Sequence, residues 1–495
     1  MEDYAYMRAL NRFLLDIYNN KEYELTFYDY YLFHATSMWL SVVRESQCLD
    51  YGSFCLVLST RSLIEDLAVL KMYDSGAITS DCKELLRGHQ YLCEYKTYQK
   101  CKDLDGILFD LEEMKKNYSD VKEYYKEIIE LNSKEFDNLL SKNNLAFLKE
   151  KNSFHNLIDM YCPNYLKEYE QMSYIIHPSN YYDNLGLVDK FKYEDILTDI
   201  LNESKKYYPK VIVLNMDYFA FEKGTYFHSF DELSMKSFFD EFNKTIREDL
   251  ELTDDVTLEK KVFFLGDLLK DEMSSIMIEF SFGFSEVLKS KLKTVFEIFA
   301  FVCYILDCLA NKERRFVLPM IEIYNNMHIQ KEFYGKDYKK MIEEFNIKNN
   351  TNMLSPEKMA KNVDQSLPEF LDYNSIKDFV FDMIEDLLAD KKDNKSVAKM
   401  LYLESQLLSH GNGYMLPSNF GCFSDADGAF AMIDLLFEKL FDKMGRVLEI
   451  LSNEDNKWSK ASCSVNGKLK EKFKEAKRIK YTTYSFMKLN TEKIG

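Results

Sequence analysis

Residues 169–182 read YEQMSYIIHPSNYY, and residues 402–415 read YLESQLLSHGNGYM. In each stretch a tyrosine stands eight residues before a histidine and another stands four after it: Tyr169, His177 and Tyr181, then Tyr402, His410 and Tyr414. The two histidines are 233 positions apart in a chain of 495. A recurrence at that spacing commits the whole chain to two similar units. Pro178 biases His177 away from helical angles, and Gly411 supplies the left-handed residue that ends helices, so both histidines are expected at helix ends.

A chain of this length exceeds what one hydrophobic core sustains. Only 16 Gly and 7 Pro are available to turn it, too few for the many turns of an all-β fold. The expectation is therefore an all-α protein of two tandem, pseudo-symmetric helical bundles: repeat 1 over 1–208, a junction over 209–232, repeat 2 over 233–455, and a basic C-terminal helix or tail over 456–495. KVIVLNMDYFAFEKGTYFHSF, residues 210–230, places β-branched and aromatic residues on either side of Glu222, Lys223 and Gly224, so a short β-hairpin is expected at the junction. Apolar periodicity predicts long helices over 24–47, 51–74, 80–104 and 107–150, and the charged stretch Lys391–Lys395 reads as a solvated loop. Ser424 or Asp425 is expected to cap a helix over the apolar run that follows.

The context of the recurrence is also repeated. STRSLIEDLAVLKMYD, from Ser59 to Asp74, puts Arg61 and Glu65 four residues apart on one helical face. In the second half, ERRFVLPMIEIYNNMHI, from Glu313 to Ile329, offers Arg315 and Glu322 seven apart. Arg61 and Arg315 are thus expected to play matching parts, both pointing into a cleft shared with His177 and His410.

Charge is distributed unevenly. The whole chain carries −18, but residues 456–495 hold eleven Lys or Arg against three Glu, a net of +8 that leaves −26 on the remainder. Lys470, Lys472, Lys474, Lys477, Arg478 and Lys480 lie beside Tyr481 and Tyr484, a combination that neutralises phosphates and stacks on unpaired bases. The same residues can dock back onto the acidic body, and the sequence leaves the two readings open. The N-terminus MEDYAYMRALNRF carries acids where a secretory leader carries basic and apolar residues, so a cytoplasmic location is expected. The most apolar segment, Val295–Ala310, is interrupted by Glu297 and Asp307 and reads as a buried core helix rather than a membrane span. The ten cysteines show no paired zinc spacing and read as reduced, buried thiols.

No phosphate-cradling glycine loop, HExxH or GxSxG motif is present, and no cofactor or metal is expected. The two helix-ending histidines remain as the chemistry-bearing residues, because a helix C-terminus favours the charged imidazole near neutral pH. A helix led by an arginine with a nearby glutamate, followed by Ser173, Ile175, Ile176, His177, Pro178 and Ser179, resembles uncharacterised bacterial helical families of defence and toxin context. More distantly it is similar to HEPN domains, whose ribonuclease members pair an arginine with a histidine in a dimer cleft. Two functions follow. One is a helical interaction protein of a bacterial defence or toxin-type pathway, binding a protein partner or RNA through the basic tail. The alternative implied by the resemblance is a metal-independent ribonuclease in which His177 and His410 act as acid and base while Arg61 and Arg315 stabilise the phosphate.

Overall fold

The computed structural model describes residues 2–19, 25–48, 54–79, 133–148, 153–176, 193–210, 235–250, 285–315, 376–408 and 426–475, with isolated positions at 82–89, 191, 318 and 335–347. Every regular element among these residues is helical, and none is a strand. The expected β-hairpin falls almost wholly on 211–230, outside the described residues.

In chain order the helices are α1 (Glu2–Asn19), α2 (Phe27–Cys48), α3 (Phe54–Asp74), α4 (Ser133–Lys142), α5 (Ser153–Tyr161), α6 (Leu166–Ile175), α7 (Tyr193–Tyr207), α8 (Met235–Leu250), α9 (Ser285–Ala310), α10 (Ile376–Leu387), α11 (Lys392–Leu408), α12 (Ala426–Glu454) and α13 (Ser459–Ser464). Past Ser464 the helix widens into a π-turn over Val465–Leu469 and continues to residue 475. α3 is the hub of the first half, packed by α2, α5, α6 and α7, with α1 on α2. α9 is the hub of the second, packed by α10, α11 and α12. Both hubs are apolar on nearly all sides, and a helix without a polar face has to be enclosed. Accordingly every residue from 291 to 306 is buried. α9 also touches α2 and α3, so the two hubs meet.

Two local expectations need correction. The helix predicted to run to residue 150 ends at Lys142. Asn144 adopts φ 60°, and Leu145 N–H donates to the Leu140 carbonyl at 2.8 Å, the left-handed closure that asparagine tolerates. The Lys391–Lys395 stretch is helical from Lys392 onward. Asp393 lies in the first turn of α11, where the helix dipole favours an acid, and Lys395 and Lys399 both pair with Glu385 of α10.

Among the described residues no helix is long and apolar enough to cross a membrane. Cys55, Cys82, Cys162, Cys303 and Cys308 are buried free thiols, and Cys463 is exposed. Burial lifts the Cys162 thiol to about 11, keeping it protonated and unreactive at neutral pH.

Candidate functional site

The site lies where α3 and α9 meet, and it is built of buried charge. Arg61 and Glu65 on α3 are 3% and 0% exposed, and Lys293 and Glu297 on α9 are 7% and 1% exposed. Arg61 Nη2 lies 3.4 Å from Glu65 Oε1, one helical turn on. Lys293 Nζ lies 3.9 Å from Glu297 Oε1, again one turn on. A tyrosine closes each pair from a neighbouring helix: the Tyr169 hydroxyl of α6 donates to Glu65 Oε1 at 3.0 Å, and the Tyr402 hydroxyl of α11 donates to Glu297 Oε1 at 3.2 Å. The Arg61 guanidinium also stands 6.0 Å from the centre of the Tyr169 ring.

The two clusters correspond position by position. Arg61 and Glu65 match Lys293 and Glu297 at an offset of 232, and Tyr169 matches Tyr402 at 233. Ser173 and Gln406 each stand four residues after their tyrosine, and Gln406 Nε2 donates to the Tyr402 hydroxyl at 2.9 Å.

Electrostatics links the clusters to each other. Burial pushes the Glu297 carboxyl up, and Lys293, the Tyr402 hydroxyl and Arg61 all act against that rise. The charge of Arg61, in the first half, is therefore felt by the glutamate of the second. Burial likewise drives the Tyr169 and Tyr402 hydroxyls well above the ordinary phenol range, with the adjacent glutamates adding to the effect, so both remain protonated donors.

Two further pairs extend the charged interior along α2. Lys291, two residues before Lys293 on α9, reaches Glu45 and donates to Ser41 Oγ at 2.8 Å. Lys291 is fully buried, and desolvation together with the neighbouring Arg44 guanidinium holds its ammonium well below the ordinary range. On the other side, His34 Nδ1 lies 2.5 Å from Asp66 Oδ2, joining α2 to α3. Burial raises the Asp66 carboxyl to about 6 despite the opposing imidazole. Among the described residues no group of three or more His, Cys, Asp or Glu side chains is placed to hold a metal ion.

The residues singled out from the sequence fall in different places. Arg61 is at the crossing. Arg315 is not: it lies past the end of α9, donating from Nε to the Leu309 carbonyl at 2.7 Å and from Nη1 to Glu454 Oε2 at 2.7 Å. From Glu297 to the end of α9 is thirteen residues, about 20 Å of helix. Lys293 stands at an offset of 232 from Arg61. His177 and His410 lie outside the described residues, as do Lys477, Arg478, Lys480, Tyr481 and Tyr484. α6 ends at Ile175, two residues short of His177. α6 runs antiparallel to α3: Tyr165 bonds Asp199, which lies 3.7 Å from Lys71, whereas Tyr169 bonds Glu65. The C-terminal end of α6 is thereby directed toward the N-terminal end of α3.

The described part of the basic tail is docked. Lys468 and Lys472 pair with Glu241 of α8 at 3.0 and 2.9 Å, and Lys470 pairs with Asp442 of α12 at 2.6 Å. The two lysines pull the Glu241 carboxyl down to about 2. Phe473 is 3% exposed among Phe238, Phe437 and Phe441, with ring centres 5.4, 4.8 and 6.1 Å away. Lys474 is exposed. Compared with family models, curated proteins and solved structures, the chain shows no match.

Proposed function

We propose that the chain is a helical interaction protein made of two matched units that pair within one polypeptide, and that its acidic surface recognises a protein partner of basic character. One observation carries this reading: among the described residues, Arg61, Lys470 and Lys472, cations that an RNA-directed function would draw on, are paired with the chain's own carboxylates, while Lys474 stays exposed. Arg61, Lys291 and Lys293 are buried against Glu65, Glu45 and Glu297, and Lys468, Lys470 and Lys472 pair with Glu241 and Asp442. With those charges spent, a chain of net −18 presents a surface that repels phosphate and attracts basic protein. The matched offsets of 232 and 233 support the pairing of units, and the resemblance drawn from the sequence supports a role in a defence or toxin-type pathway.

The test is affinity capture of the intact chain with identification of what is retained, followed by binding measured across salt. A retained basic protein whose affinity weakens as salt rises supports the proposal. Retention of RNA with a steep salt slope, lost on deleting residues 456–495, overturns it.

The ribonuclease reading keeps one observation in its favour. α6 ends two residues before His177, and its Tyr169 bonds Glu65 beside Arg61. Cleavage of RNA by the intact chain, abolished by His177→Ala with His410→Ala while the helical content is kept, would replace the binding proposal with it.

A further inference from the structure

The two hubs are alike along their shared face, so a first half has two possible mates: the second half, or another first half from a second copy. Arg61, Glu65 and Tyr169 do not discriminate between these, because Lys293, Glu297 and Tyr402 repeat them with the same charges. Discrimination requires a matched position where the halves differ and where the difference is read across the crossing. Among the described residues, Lys291 satisfies both conditions. At the offset of 232, Ser59 of α3 corresponds to Lys291 of α9.

Lys291 crosses from the second half to the first, where Glu45 and Ser41 of α2 receive it. All of them are buried: Lys291 and Glu45 are both 0% exposed. The groups facing Lys291 from α2 are Ser41, Arg44 and Glu45, and Arg44 repels it. In a pairing of two first halves the place of Lys291 would fall to Ser59, and Glu45 would lose the ammonium that reaches it across the crossing. A buried carboxylate deprived of its counter-charge is expensive, whereas replacing both partners by apolar groups is tolerated.

Resting on the internal pairing proposed above, we infer that Lys291 and Glu45 are the specificity element of the crossing, directing a first half to a second half and excluding a second copy of itself. The Arg61–Glu65, Lys293–Glu297 and His34–Asp66 pairs each lie within one half, whereas this one crosses between the halves.

The experiment uses the full chain in two differently tagged forms, mixed at rising concentration and captured through one tag. The variant Lys291→Met with Glu45→Leu removes both charges without stranding either. It is expected to fold and to co-capture the other copy several-fold more than the parent does, increasing with concentration. Lys291→Ser alone gives α9 the residue of the first half and strands Glu45; it is expected to lower the unfolding midpoint, and adding Glu45→Gln is expected to restore part of that loss. Co-capture by the double variant at the parent's level overturns the inference. Coupling between Lys291 and Glu45 with no change in co-capture shows that the halves pair but that this contact does not select the mate. Absence of any coupling between the two residues removes the internal pairing itself.

Discussion

Tyr402→Phe removes one oxygen from the interior and leaves the ring in place. That oxygen donates to Glu297 Oε1 at 3.2 Å and accepts from Gln406 Nε2 at 2.9 Å, and the side chain is fully buried. A hydrogen bond to a charged group contributes about 1.5–3 kcal/mol, and a group left unsatisfied in the interior costs a similar amount. The substitution is therefore expected to cost about 2–3 kcal/mol. Tyr169→Phe deletes the matching donor to Glu65 Oε1 at 3.0 Å from a side chain that is 8% exposed, so about 2 kcal/mol is expected there. For a cooperative unit of roughly 150–250 residues, 1 kcal/mol moves Tm by about 2–4 °C, so each variant should melt about 4–10 °C lower. Because Arg61 acts on Glu297, the two substitutions share one electrostatic network. Their combined effect should depart from additivity by at least about 0.5 kcal/mol. Urea denaturation of the parent, both single variants and the double variant measures all four quantities. If either tyrosine can be replaced at a cost under about 0.5 kcal/mol, the hydroxyls are not structural and the matched clusters lose their meaning.

Other substitutions probe separate parts of the fold. Asp66 has a folded-state pKa of about 6 against an ordinary value of 3.8, so the folded chain binds its proton more tightly than the unfolded chain. Its contribution is fully present below about pH 4 and is lost as pH rises through 6, on the order of 2–3 kcal/mol in all. Asp66→Asn should flatten that part of the stability profile, and a parent-minus-variant difference that is constant between pH 4 and 7 would refute the assignment. Phe473→Ala should cost about 3–4 kcal/mol and expose the segment after Glu454 to protease, whereas an undocked tail would show neither change. A Cβ at Gly445 would collide with the Asn466 side chain at the π-turn. Gly445→Ala should therefore destabilise by about 1 kcal/mol despite alanine's better helix propensity, and adding Asn466→Ala should bring the chain above the parent, as read from urea midpoints.

The helical class was legible from the sparse turn residues, and Tyr169 and Tyr402, matched in the sequence by their spacing to the two histidines, each donate to a buried glutamate. Arg61 and Glu65 were legible as neighbours because four residues is one helical turn. Their counterpart was sought by residue type, which led to Arg315, whereas on α9 the cation four residues before a glutamate that a tyrosine reaches is Lys293. Lysine satisfies that position as well as arginine does, so matching letters misled where matching register succeeds. The His34–Asp66 and Lys291–Glu45 pairs were illegible for a different reason. Their members are 32 and 246 residues apart, and only the packing of α2 against both α3 and α9 brings them together. For the tail, charge alone permitted docking or nucleic-acid contact. Phe473 favours docking, since one aromatic ring inside a ring cluster outweighs several exposed cations whose pairs contribute little individually.

The most direct measurement is a double-mutant cycle between Arg61 and Glu297, residues from opposite halves whose side chains belong to different ion pairs. Arg61→Met, Glu297→Gln and the combination are compared with the parent by denaturant unfolding. Interlocked hubs give a coupling of about 1 kcal/mol or more, since each residue's charge is felt by the other in a dry interior. Costs that simply add would mean that the two clusters ignore each other, and that α3 and α9 are neighbours without being partners.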